Sequence, residues 1–475
     1  MTESLVADTP INLLDLVDDG PRPDAAPGIR PRRVYIETYG CQMNVADSEL
    51  MAGILTRQGY DAATGPEDAD VILINTCAVR ERAEERVLGR AATLNGHKKE
   101  RPDVLLGICG CMAEHLRETI HERAPFVDLI IGPDAYRRLP ALIEQAAGAE
   151  EHELAIDVRL DKAETYEGLT PLRRDGVNGW ITIQRGCDKF CTFCIVPFTR
   201  GRERGVPPRE ILRQARELVA QGARSVTLLG QTVNSYRYED VDFADLLRAV
   251  AQVEGVERIR FTSPYPVDFT PKLIEVMASE PRVCPYIHLP VQSGSDRMLK
   301  EMRRGHTIAE YRQLVADLRA AIPNLALSTD IIVGFPGETD EDYQRTVELI
   351  EEIRYDFAYL FKYSERSGTY AHKKLPDDVP EAVKGSRLSR LIEIQEAICL
   401  EKTTPYVGRI VQVLIAGESR KSEHDWVGKT DTFKTTIMPK VPGSEVGQIV
   451  SVQVEEVTSH TLKGHIVTRD ESITS

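Results

Sequence analysis

The sequence predicts an α/β chain in three parts: an N-terminal parallel α/β domain, a partial (β/α)6 barrel and a small antiparallel β-barrel at the C-terminal end. Three observations predict it. Short apolar runs alternate with helical periodicity through residues 33–150, six further β/α repeats follow within 173–400, and short strands separated by Gly and Pro fill about 401–468. Alternating strands and helices imply a parallel sheet with helices on its faces, whereas closely spaced short strands suit a small barrel.

Residues 1–32 are rich in Asp and Pro, with one brief Leu-rich stretch at 11–17, and read as a flexible extension outside the fold. No secretory n-region or long apolar segment occurs. A reducing, cytoplasmic setting is therefore expected for the nine cysteines, with no disulfide framework and no membrane partner.

In the first domain, apolar runs at 34–36, 71–74 and 104–108 alternate with helical stretches at 48–58, 79–95 and 113–123. Each run leads into a cysteine: Cys41 in Tyr39-Gly40-Cys41-Gln42-Met43-Asn44, Cys77 in Asn75-Thr76-Cys77-Ala78, and Cys111 in Gly110-Cys111-Met112-Ala113-Glu114. In an open parallel sheet the strand carboxyl ends share one edge, where ligands bind, so these three thiols are expected to converge into a cluster site. Cys109 competes for the third position. Cys111 is preferred because Gly110 precedes it as Gly40 precedes Cys41, whereas Cys109 ends the strand itself. The structural alternative is that cysteines are simply common in buried strands.

The middle domain carries strand candidates at 180–185, 225–229, 258–262, 286–290, 325–333 and 357–362. Six units instead of eight leave a barrel partly open, with its site at the strand carboxyl ends. Directly after the first strand stands Cys187-Asp188-Lys189-Phe190-Cys191-Thr192-Phe193-Cys194. Three thiolates at this spacing leave one iron of a [4Fe-4S] cube without a protein ligand. A closed structural zinc site would need a fourth Cys or His nearby, and the next cysteine is Cys284. Polar or Gly-rich segments occupy the other strand ends, including Gly230-Gln231-Thr232-Val233-Asn234, His288-Leu289-Pro290-Val291-Gln292-Ser293-Gly294, and Thr329 to Glu338. Such segments are ordinarily only turns, and His288 on its own is a satisfied core or rim histidine.

From about 401 the strand candidates are 409–415, 426–430, 435–438 and 449–455. A small barrel of this kind often engages RNA; its bland reading is a structural cap. The formal net charge of -15 runs against a nucleic-acid partner, although local clusters matter more than the sum. Two basic groups are present: Arg173, Arg174, Arg185, Lys189, Arg200, Arg202 and Arg204, and Arg409, Arg420, Lys421, Lys429, Lys434 and Lys440. On charge alone either is as readily a solvated face.

Cys187, Cys191 and Cys194, with Phe193 before the last, resemble the cluster loop of radical S-adenosylmethionine (SAM) enzymes. The two cysteine triads in this order, followed by the short-strand region, resemble the methylthiotransferase family over about 33–467. That family has an N-terminal cluster domain (33–150 here), a radical SAM core (173–400) and a C-terminal TRAM RNA-binding domain (401–468). The resemblance is closest to its tRNA-modifying branch, through Cys194-Ile195-Val196-Pro197-Phe198-Thr199-Arg200-Gly201 and Leu229-Gly230-Gln231-Thr232-Val233-Asn234. Phe198 stands where Tyr is frequent and Thr232 where Asn is frequent; both conserve size or polarity.

The resemblance implies two [4Fe-4S] clusters, one on Cys41, Cys77 and Cys111 and one on Cys187, Cys191 and Cys194. It implies a SAM shell drawn from Phe193, Gly230, Gln231, Gln292, Ser328, Asp330 and Gly334, with Gly334 and Gly337 allowing close backbone approach. The implied reaction replaces the C2 hydrogen of N6-isopentenyladenosine, next to a tRNA anticodon, by a methylthio group. A deoxyadenosyl radical would abstract the hydrogen, and sulfur methylated by a second SAM would be inserted. The implied partners are the tRNA anticodon stem-loop and a cellular electron donor such as a flavodoxin or ferredoxin. The competing expectations are the sister branch, which methylthiolates an aspartate of a ribosomal protein, and a non-catalytic iron-sulfur RNA-binding protein.

Overall fold

A computed structural model of the chain describes residues 16–17, 32–78, 81–148, 154–174 and 176–467. The expected extension lies outside the described residues except for 16–17 and 32, as does Val79 at the expected start of the second helix. Leu16–Val17 pairs antiparallel with Arg173–Arg174. The described residues form two compact units. The first comprises those up to 174 with 180–190 and 194–214, and the second comprises 176–179, 191–193 and 215–467.

The first unit is built on a six-stranded parallel sheet in the order Asp61–Ala62, Arg33–Tyr39, Val71–Thr76, Leu105–Gly110, Leu129–Ile131, Ala155–Asp157. The three strands expected from their apolar runs form its centre. The outer three are two or three residues long, too short to show a period in sequence, and the last of them lies beyond residue 150.

Alternate residues of the central strands feed two cores. Val34, Ile36, Val71, Leu73, Leu105 and Cys109 pack with Leu55 from the helix Gln42–Arg57. Tyr35, Ile72, Ile74, Leu106 and Ile108 pack with Val87 and Ala91 from the helix Glu81–Glu100. A sheet covered on both faces explains why these strands read as continuous apolar runs. The stretch expected as one helix at 113–123 is two, Cys111–Leu116 and Glu118–Arg123, because Arg117 between them sits at φ +50°.

In the second unit, Arg258–Phe261 pairs in parallel with Ser225–Leu229, and Tyr286–His288, Ala326–Val333 and Phe357–Lys362 form a three-stranded sheet; of the first barrel strand, Asn178–Thr182, residues 178–179 belong here and 180–182 to the first unit. A parallel bridge between Ile259 and Val283, just before Tyr286, links the pair to the three-stranded sheet, so the strands from Ser225 to Lys362 follow one another in chain order. The last domain is a closed five-stranded barrel of Ile410–Ser419, Ser422–Thr430, Thr435–Pro439, Thr461–Ile466 and Ile449–Val457. It is antiparallel except where Thr435–Pro439 meets Thr461–Ile466 in parallel. Thr461–Ile466 was not anticipated from the sequence.

Two strand arginines bind this barrel to the second unit's sheets. Arg258 donates to the carbonyls of Lys429 at 2.6 Å and Gln412 at 2.9 Å, and Arg260 to those of Thr430 at 2.7 Å and Asp431 at 2.9 Å. Beside them Phe433, held at φ +69°, stacks on Tyr286 with ring centroids 4.8 Å apart. The ion pair Lys434 to Asp356, at 3.1 Å, completes the seam. Among the described residues no helix is long and apolar enough to cross a membrane.

Burial of one acid in the first unit gives a pH signature. Glu114 is almost fully buried, and burial raises its carboxyl from 4.5 to about 8 despite a 2.8 Å hydrogen bond from Arg117. Between those values the folded chain holds a proton that the unfolded chain has released, so stability falls as pH rises through this window. Glu114→Gln removes that loss. In thermal melts the variant should match the parent near pH 4.5 and exceed it at pH 8.5; an equal gain at both values would show that the carboxyl does not titrate there.

Candidate functional site

Register across the first sheet decides where the N-terminal cysteines emerge. Tyr39 pairs with Thr76, and Thr76 with Gly110, so three neighbouring strands end level with one another. Cys41, Cys77 and Cys111 are the residues that leave this edge. Gly40 and Gly110, at φ +132° and +91°, make the turns on two of the strands. A Cβ on Gly40 would lie 2.6 Å from the Cβ of Cys77, and one on Gly110 would lie 2.3 Å from Oδ1 of Asn75, so both close approaches depend on glycine.

Buried amides tie the edge together. Asn75 Nδ2 donates to the Asn44 carbonyl and to Ser48 Oγ, each at 2.8 Å, and Ser48 Oγ meets Thr38 Oγ1 at 2.7 Å. Cys41 is the N-cap of the helix Gln42–Arg57. A hydrogen bond with Cys77 lowers its thiol to about 6 against the opposing cost of burial, helped by the Arg200 guanidinium and the backbone of Asn44 and Met43. Cys109, by contrast, is fully buried among Leu73, Leu129 and Ile131, and burial pushes its thiol far up. Cys109 therefore belongs to the core of the sheet, whereas Cys111 packs with Ala78 and Ile195 beyond the strand end.

A buried ion network stands behind Cys111. Arg200 Nε donates to Cys111 Sγ at 3.1 Å while its Nη2 donates to Asp47 Oδ2 at 2.7 Å. Asp47 Oδ1 lies 3.5 Å from Arg185 Nη1, Arg185 Nη2 lies 3.6 Å from Asp134 Oδ1, and Arg204 binds the same Asp134 at 2.8 Å. Arg185, Arg200 and Arg204 were expected among a basic group that could equally be a solvated face. They are interior or nearly so, whereas Arg202, paired with Asp188 and lying over the Phe190 ring, is largely exposed. Sequence reasoning missed Asp47 altogether, because an acid within a helix carries no signal of an arginine over a hundred residues away.

Of the second triad, Cys187 and Cys194 belong to the first unit and Cys191 to the second. Cys187 is buried, its amide donates to the Gly201 carbonyl at 3.1 Å, and its Sγ accepts from the Lys189 amide at 3.5 Å. In the second unit Arg304 Nη1 donates to Cys191 Sγ at 3.4 Å and Nη2 to the Pro290 carbonyl at 2.8 Å, with the guanidinium 4.6 Å from the Tyr265 ring centroid. All nine cysteines stand outside disulfides. Among the described residues no three Cys, His, Asp or Glu side chains close on a single metal ion. A [4Fe-4S] cube has its irons at separate corners and asks for thiolates around a volume, not around a point.

The expected SAM shell falls within the second unit. Phe193 packs edge-on to Phe335 at 6.4 Å. Gly230 and Gln231 follow the strand Ser225–Leu229, and Gln292, at φ +77°, donates its amide to the Asp330 carbonyl at 2.9 Å. The side-chain oxygens of both Gln231 and Gln292 are buried with no hydrogen-bond partner. Ser328 Oγ is instead engaged by Tyr286 at 2.7 Å and His288 at 2.9 Å, and Asp330 lies 3.4 Å from the other ring nitrogen of His288. His288 is therefore a satisfied histidine. Gly334, at φ +69°, gives its amide to Glu338 at 2.7 Å, and a Cβ there would meet Lys384 at 2.3 Å.

Comparison with known proteins follows the same division. Residues 181–350 match the radical SAM superfamily, residues 33–132 the Uncharacterized protein family UPF0004, and residues 405–467 the TRAM domain. A tRNA-2-methylthio-N(6)-dimethylallyladenosine synthase of Porphyromonas gingivalis is 47% identical over 445 residues, covering 92% of this chain and 95% of the relative. One of Chloroherpeton thalassium is 46% identical, covering 91% and 96%. Among solved structures, the radical SAM methyltransferase TsrM of Kitasatospora setae superposes with a TM-score of 0.51 at 14% identity over 70% of this chain and 75% of that one. The cobalamin-dependent radical enzyme OxsB gives 0.52 at 13% identity over 78% and 56%. These two establish the fold alone.

The contrast between thiols is measurable. In iron-free protein at pH 7, iodoacetamide should modify Cys41 well before Cys109, with the rate at Cys41 rising through a midpoint near 6. Peptide mass mapping reads this directly, and equal rates would contradict the placement of the two side chains.

Proposed function

Because the chain belongs to the methylthiotransferase family of radical SAM enzymes, we infer that it converts N6-isopentenyladenosine beside the anticodon of tRNA into its 2-methylthio derivative. It is an enzyme that uses SAM and [4Fe-4S] clusters. In this reading Cys41, Cys77 and Cys111 hold one cluster and Cys187, Cys191 and Cys194 the other. The clusters and SAM, when bound, supply the homolytic C–H chemistry, the sulfur and the methyl group that no side chain carries.

The observation that carries the assignment is the level ending of three parallel strands at Cys41, Cys77 and Cys111, on a chain nearly half identical to synthases of this reaction. The donor set supports it: each triad has one cysteine sulfur accepting a hydrogen bond from a buried arginine. Gln231 and Gln292, with their unpartnered oxygens, are the best supported of the SAM-shell residues, with Phe193, Gly230, Asp330 and Gly334 beside them. Ser328 acts through the Tyr286–His288 network and orients that wall.

For the RNA, the C-terminal barrel supplies phosphate contacts and the core receives a base splayed from its loop. Of the barrel's basic group, Arg409, Arg420 and Lys421 are exposed, whereas Lys434 is buried against Asp356 and Lys440 is paired with Glu418. Domain limits of 173–400 and 401–468 suit this division of labour, and the first domain, expected over 33–150, reaches on to its sixth strand Ala155–Asp157. The reaction needs an electron from a donor such as a flavodoxin or ferredoxin, and a cytoplasmic setting suits both the donor and tRNA.

Anaerobically reconstituted protein given reductant, SAM and an anticodon stem-loop carrying isopentenyladenosine should add one methylthio group to that nucleoside, read by mass spectrometry after digestion. Cys77→Ala and Cys187→Ala should abolish the product, and Cys109→Ala should retain it. Cleavage of SAM with an unchanged nucleoside would redirect the activity to a ribosomal-protein aspartate. Affinity for tRNA should fall steadily as salt rises, because phosphate contacts release counterions; a salt-independent affinity would remove the barrel from RNA binding.

A further inference from the structure

Arg200 is placed unlike an ordinary structural arginine. It leaves the loop six residues after Cys194, yet within the first unit its guanidinium lies against the other triad, 3.1 Å from Cys111 Sγ. Arg200 is 3% exposed, and its Nη1 has no hydrogen-bond partner. Charge is crowded around it: Asp47 is shared between Arg200 and Arg185, and Asp134 between Arg185 and Arg204, so three guanidinium groups gather about two carboxylates. A buried charge needs opposite charge close by, and a buried donor without an acceptor costs further. Anionic sulfur beside Cys111 answers both needs at one place.

We propose that Arg200 is a positioning residue for the N-terminal cluster, donating Nε–H to the Cys111 thiolate and Nη1–H to a non-protein sulfur there, and that it raises the reduction potential of that cluster. The inference rests on Cys41, Cys77 and Cys111 being the cluster ligands. Hydrogen bonds to sulfur and nearby positive charge stabilise the reduced, more negative state of an iron-sulfur centre. Asp47 holds the guanidinium by Nη2 at 2.7 Å and offsets part of its charge, so it works in the opposite sense.

The test uses the full chain carrying Cys187→Ala, Cys191→Ala and Cys194→Ala, which leaves only the N-terminal cluster, with iron analysis followed by an EPR-monitored redox titration. In that background Arg200→Met should shift the midpoint to a more negative value, Arg200→Lys by a smaller amount, and Asp47→Asn to a more positive value. A purely structural role would move Arg200→Met and Asp47→Asn alike, since both break the same ion pair. Shifts of the same sign, or none, overturn the proposal. If Arg200→Met does not fold, Arg200→Lys and Asp47→Asn still decide the sign. Absence of iron in the background before Arg200 is touched would overturn the ligand assignment itself, a failure distinct from an unmoved midpoint.

Discussion

Parallel strands that end level can present to one small volume residues that lie far apart along the chain. In the first unit this constraint gathers Cys41, Cys77 and Cys111, which span some seventy positions of sequence. A helix presents side chains a few residues apart, and an antiparallel hairpin presents neighbours across a turn. Only level carboxyl ends recruit three separate βα turns at once. The glycines before Cys41 and Cys111 follow from the same demand, because the chain must turn sharply where the neighbouring strand's Cys77, at Gly40, or Asn75 and Thr76, at Gly110, already stand.

Bringing thiols together creates an electrostatic problem that the surrounding residues are built to answer. Three thiolates at close range repel one another, and burial penalises each. The helix N-terminus at Cys41 and the guanidinium at Cys111 oppose both effects. A lone buried guanidinium would be as unstable as the thiolates it serves, which is why Asp47 and Asp134 interleave with the three arginines. Removing one partner from such a buried pair typically costs about 3–5 kcal/mol, so the network is stable only as a whole. Arg304 at Cys191 meets the same problem differently, with a tyrosine ring and a carbonyl in place of carboxylates.

Much of this was legible in the sequence, for definite reasons. Sheets covered on both faces write continuous apolar runs, so the three central strands of the first unit and the six barrel strands were readable. Cysteine is rare enough that its recurrence after three strands is itself a signal. The short strands Asp61–Ala62 and Leu129–Ile131 left none, because two or three residues cannot show a period. The break at Arg117 was invisible, since nothing in 113–123 but the backbone's own turn marks it. Arg185 and Arg200 were visible only as charge. Whether an arginine faces water or an aspartate is settled by tertiary packing, and residue type does not encode it.

That reassignment also bears on how an acidic chain handles RNA. Arg185, Arg200 and Arg204 are held in buried ion pairs, and Lys434, Lys440 and Lys429 of the barrel are committed to Asp356, Glu418 and ring faces, which leaves Arg409, Arg420 and Lys421 among its exposed cations. A net charge of -15 then disfavours adsorption of RNA in general. The last barrel strand carries aromatic rings at alternate positions, Phe357, Tyr359 and Phe361, with Phe357 edge-on to Tyr359 at 4.6 Å and to His460 of the C-terminal barrel at 5.5 Å. Successive odd positions of a strand share one face, so these rings form a single apolar, polarisable wall.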